Sequence, residues 1–152
     1  MRTICTSEGE PRMRFTVDGG LAVRLTNKTG AASVKGTAVA VSPSTADAFG
    51  LVGADQSNPV GFVLESGISD GSPCWIGVTG RMQMLLQDSS AASLGYWIKV
   101  SDTTDGRVDA TNLLPTGGTI VALEDHLTEC GHSLEAVTAG TDKLAWTLAH
   151  FN

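Results

Sequence analysis

The sequence has little of what most function classes require. Only 17% of its 152 residues are charged, and its aromatics amount to three Trp, one Tyr and four Phe. No apolar run approaches the roughly 20 residues needed to span a bilayer, so no membrane partner is expected. Long runs of the strong helix formers Ala, Leu, Glu and Lys are also missing, which excludes long helices and the βαβ crossovers they would make. The three cysteines, Cys5, Cys74 and Cys130, are odd in number and far apart, so they imply no disulfide framework and fit a reducing compartment. The opening residues Met1–Thr6 lack the apolar stretch of a secretory signal.

Charge is unevenly spread. The net charge is −6, which argues against a general nucleic-acid binder, because phosphates require clustered Lys and Arg. Residues 1–35 carry six of the ten basic residues (Arg2, Arg12, Arg14, Arg24, Lys28 and Lys35) against Glu8, Glu10 and Asp18. The leading segment is thus about +3 and the remainder about −9. Either one end attaches to an acidic surface, or this is ordinary surface variation.

What is abundant is turn chemistry and period-two patterning. Residues 1–20 mix Pro, Gly and charge, and read as an extended arm with one short strand over Met13–Val17. From Leu21 onward Leu21, Val23 and Leu25 alternate with Ala22, Arg24 and Thr26. Further strands are predicted over Thr37–Ser42, Val60–Glu65, Cys74–Gln87, Tyr96–Val100, Arg107–Ala110, Ile120–Leu123 and Lys143–Asn152, with Asp105-Gly106 as a hairpin turn. Helical turns are expected over Ser44–Val52, with Ser44 as N-cap, and over Leu123–Cys130, stopped by Gly131. Eight to ten short strands with turns every 8–12 residues predict an all-β domain over residues 21–152, a small barrel or sandwich.

Catalytic signatures are hard to find. No Gly-x-Ser-x-Gly elbow occurs, and a hydroxyl without an adjacent base is a poor nucleophile. Gly77-Val78-Thr79-Gly80 lacks the Gly-Lys-Ser/Thr ending of a phosphate loop. His126, Cys130 and His132 lie within seven residues and form the best metal candidate, but zinc wants three or four ligands and spacing suggests no fourth. A buried thiol beside two separate histidines is the plainer account, so no metal or cofactor is expected. His150, on a face with Leu144, Trp146 and Leu148, reads as an edge histidine. The pairs Glu124-Asp125 and Asp102/Asp105 sit beside turns. Trp75, Trp97 and Trp146 could line a sugar platform or anchor a core or subunit interface.

The order of several motifs is distinctive: Val34-Lys35-Gly36-Thr37-Ala38-Val39, then Pro59-Val60-Gly61-Phe62-Val63-Leu64-Glu65, the turn Ser69-Asp70-Gly71-Ser72 and the strand Ile76–Gly80. Cys130-Gly131-His132-Ser133-Leu134-Glu135, Ala139-Gly140-Thr141-Asp142 and Leu144–His150 close the series. Over about residues 20–152 this series resembles the small capsid decoration, or cement, proteins of tailed bacteriophages. The resemblance implies a β-barrel-like domain, made in the host bacterial cytoplasm, that trimerises on the expanded head and braces the major capsid protein. It implies no enzymatic activity. The arm, with Arg2, Arg12, Arg14 and Arg24, would bind the capsid, and Trp97 and Phe151 would be inter-subunit contacts. Other readings are a tail, connector or head-fibre part, a carbohydrate- or receptor-binding module, or a small β-barrel enzyme.

Overall fold

The computed structural model describes residues 11–112 and 127–151. The alternating stretches form ten strands: β1 (Met13–Phe15), β2 (Gly20–Asn27), β3 (Ala38–Val41), β4 (Ala48–Leu51), β5 (Gly61–Val63), β6 (Pro73–Leu85), β7 (Trp97–Val100), β8 (Val108–Thr111), β9 (Glu129–Ser133) and β10 (Leu144–Ala149). They make one sheet in the order β1-β2-β4-β3-β5-β6-β10-β9-β7-β8, and a β2–β6 pairing closes part of it into a ring. The all-β expectation is borne out.

Strand β6 is the spine. Its first half pairs with β2 and β5, its second half with β10, and the exchange occurs at Gly80, which is paired with both Gly20 and Ala149. Gly80 has φ +91, and a Cβ there would run into the backbone of Gly19 and Gly20. Only glycine lets the strand turn so close to its neighbour.

The bend separates two cores. Val39, Phe49, Val63, Cys74 and Ile76 form the smaller one, on which Val23 and Leu25 pack. The larger one gathers Ala38, Ala40, Val52, Phe62, Met82, Met84, Leu86, Ile98, Val100, Val108, Cys130, Ala145 and Ala149, among others. Strands β3 and β5 lie between them, because Val39 and Val63 serve the first core while Ala38, Ala40 and Phe62 serve the second.

Two sequence expectations need correction. Ser44–Val52 holds strand β4, not a helical turn. Asp47 has φ +51, which interrupts right-handed helix, and its carbonyl accepts the Thr26 amide at 2.8 Å. Gly131 does not stop a helix; it and Cys130 lie inside β9. The short strand expected within the arm is β1. β1 pairs antiparallel with β2, and the turn is tied by the Gly20 amide donating to Thr16 Oγ1 at 2.8 Å. The strand predicted over Ile120–Leu123 lies outside the described residues. Among the described residues no helix is long and apolar enough to cross a membrane.

Candidate functional site

In β10 the small residues face inward. Ala145, Thr147 and Ala149 are buried, whereas Leu144, Trp146, Leu148 and His150 line the outer side. In β7, Ile98 and Val100 likewise enter the core and leave Trp97 and Lys99 outside. The strand between them, β9, does not keep this alternation. Its register against β7 runs Trp97↔His132, Ile98↔Gly131 and Lys99↔Glu129, so β9 holds one extra residue. That bulge carries Glu129 and His132, which regular period-two spacing would set on opposite faces, to the same side. Gly131 makes this possible. Its φ is +146, and a Cβ there would overlap the Leu148 carbonyl oxygen and lie 3.0 Å from Ala149 Cα.

The result is a cluster on the outer face. Glu129 is 3% exposed, and its Oε1 lies 3.4 Å from His132 Nε2 and 3.2 Å from His150 Nε2. The two imidazole rings are 5.1 Å apart, and the Trp97 ring meets His132 edge-on at 5.1 Å. The His150 amide donates to the Cys130 carbonyl at 3.0 Å, which pins the end of β10 beside the bulge. A buried carboxylate requires compensating partners, and two imidazoles stand at its mouth.

The metal candidate expected from sequence is not what assembles. Cys130 points into the larger core, its Sγ donating to the Thr128 carbonyl at 3.3 Å, while His132 faces out. Burial, and then the Glu129 charge, push the Cys130 thiol up to about 12. A thiol held protonated in an apolar core is a poor metal ligand. His126 lies outside the described residues. Among the described residues Glu129 and His150 join His132 on the outer face, and Cys130 does not. Glu129 was missed because nothing in the sequence announces a bulge, apart from a Gly between an acid and a His.

The other expected site residues are dispersed. Arg12 pairs with Asp47 at 3.0 Å, and Arg14 lies over the Trp75 ring at 4.2 Å. Arg24 stands opposite Trp75 in the β2–β6 register, and Arg2 is outside the described residues. Trp97 is half-buried on the outer face. Phe151 is half-buried too, but its ring stacks on Phe62 at 6.0 Å and packs against the larger core. It is therefore not an apolar residue left over from folding. The three tryptophans meet different side chains, with Arg14 on Trp75, Arg81 on Trp146 at 3.8 Å and His132 on Trp97. Gly77–Gly80 lies within β6 and forms no loop. Asp102 holds Lys99 at 2.9 Å, and Asp105 accepts the Ala54 amide at 2.8 Å. Glu124-Asp125 lies outside the described residues.

At the opposite end of the strand order, β1 presents a different surface. All three of its residues are exposed, Phe15 at 69%, and Val17 beyond it is fully exposed. Its outer flank opens on a cleft of about 220 Å³ lined by Arg14, Phe15, Val17, Lys35, Arg81 and Trp146, among others. Comparison with known protein families and with curated proteins finds no match to this chain.

Proposed function

We propose that this chain is a non-enzymatic structural virion protein that binds the outer surface of an expanded tailed-phage head. It acts as trimers at three-fold sites, contacts the major capsid protein and stabilises the shell against internal DNA pressure. The motif series over residues 20–152 supports the family, and the all-β fold is compatible with it.

The observation that carries the binding mode is β1. This strand ends the sheet order, so among the described residues one side of its backbone has no strand partner, and Phe15 and Val17 stand exposed beside Arg14 and Lys35. An unprotected edge with exposed apolar residues is normally a liability that proteins blunt. Here it suits strand addition to a neighbouring subunit, where main-chain hydrogen bonds supply affinity and the side chains supply selectivity. Its positive charge, set against an acidic body, orients the domain toward an acidic shell. Many weak contacts of this kind, multiplied through a trimer, hold firmly by avidity.

The test is co-sedimentation of the full chain with expanded and unexpanded heads of the virus that encodes it. Saturable binding to expanded heads, at the copy number of three-fold sites, is expected. Removing residues 1–18 should abolish most of that binding while leaving the fold intact. Absence of binding to both head forms would overturn the reading in favour of a tail, connector or receptor-binding part.

A further inference from the structure

We infer that Glu129, His132 and His150 form a binding site for a zinc ion on the outer face of the domain, a property independent of the capsid reading. The ligand atoms of the three residues lie within 4.8 Å of one another. Tetrahedral zinc, with bonds of about 2.0–2.2 Å, sets neighbouring ligand atoms ~3.3 Å apart. The two Glu129–His separations, 3.4 and 3.2 Å, are already of that length. The remaining separation, between the two imidazoles, is no more than 4.8 Å.

The donor set selects the ion. Two imidazoles and one carboxylate suit a borderline transition metal, whereas calcium and magnesium seek six or more oxygens. Both Nε2 atoms already face the Glu129 carboxylate at 3.4 and 3.2 Å. A neutral imidazole with its proton on Nδ1 presents the Nε2 lone pair, so a divalent cation takes both Nε2 atoms and the carboxylate oxygen as ligands. The cation also neutralises a buried carboxylate on an acidic chain.

The site is preorganised by the fold. Glu129 and His132 are fixed by the Gly131 bulge, His150 by its backbone bond to Cys130, and the His132 ring by Trp97. Sites supported in this way lose little entropy when they close on a ligand. The histidine side chains are 38% and 40% exposed, which gives an ion an entry path. That three-ligand arrangement is the one zinc adopts where a water or an incoming donor completes the tetrahedron.

The experiment uses the full chain freed of metal with a chelator, titrated with Co2+ as a spectroscopic reporter and with Zn2+ in competition. One Co2+ per chain is expected, with the visible absorption of a tetrahedral site and displacement by Zn2+. His132→Ala and His150→Ala should each weaken binding by more than the ~10–100-fold that loss of a supporting outer partner costs. Both side chains are partly exposed, so both variants should stay folded, as circular dichroism will verify. The parent chain should also melt at higher temperature with Zn2+ while the two variants do not respond. Absence of binding by the parent, or equal binding by the His132→Ala/His150→Ala double variant, would overturn the assignment.

Discussion

The two faces of the β7–β9–β10 region are built from the same strands but obey different rules. The inner face, with Ile98, Val100, Cys130, Ala145 and Ala149, is dry and apolar, and close packing alone explains its residue choice. The outer face holds a buried carboxylate, two imidazoles and a Trp, all in contact. Regular alternation would have sent either Glu129 or His132 into the core. One glycine with a backbone conformation closed to other residues prevents this. The lesson is that an irregularity of one residue can decide what chemistry a strand presents.

The comparison can be broken most severely at that glycine. Gly131→Val should cost more than about 4 kcal/mol, since it combines a backbone clash with an unfavourable φ. Urea melts will measure the loss, and any folded remainder should no longer bind Co2+. Next is the inner face alone. Ile98→Ala leaves a cavity beneath the sheet and should cost about 2–4 kcal/mol, while the metal affinity of the folded protein changes little, as paired melts and titrations will show.

The third test concerns the inner thiols. Burial, reinforced by the Glu129 charge, lifts Cys130 to about 12, and burial with the Glu65 charge lifts Cys74 to about 11, from an ordinary 9.0. An unfolded thiol releases its proton near pH 9, whereas the folded one retains it. Stability is therefore fully present below pH 9 and falls as pH rises toward the folded values, by at most about 1.4 kcal/mol per pH unit for each thiol. Denaturation midpoints between pH 8 and 10.5 should show this slope, and it should flatten in Cys130→Ala. Neither thiol should react with iodoacetamide at pH 8 until the chain unfolds.

The smallest effect belongs to exposed apolar positions. Leu148→Ser on the outer face and Phe15→Ser on β1 should each change stability by no more than ~0.5 kcal/mol. They differ in function. Phe15→Ser should weaken co-sedimentation with expanded heads several-fold, and Leu148→Ser should not.

Much of this architecture was legible in the chain. Alternation at Tyr96–Val100 and Lys143–Asn152 placed β7 and β10, and Asp105-Gly106 marked the turn between β7 and β8. Those signals are local: side-chain period and turn chemistry act over a few residues. The helical turn expected at Ser44–Val52 failed because β4 gains its order from pairing with β2 and β3, which lie elsewhere in sequence. His126 and Cys130 were reasonable metal candidates by spacing alone, but spacing does not say that Cys130 turns inward.

By itself the sequence determined the all-β class, most of the strands and turns, and the separation of a basic leading segment from an acidic body, because each follows from composition and near-neighbour pattern. The tertiary structure decided which face of each strand is inner, where β6 changes partners and which residues meet at Glu129. Those outcomes depend on register between distant strands and on a single glycine-borne bulge, and a register shift of one residue exchanges the two faces of a strand.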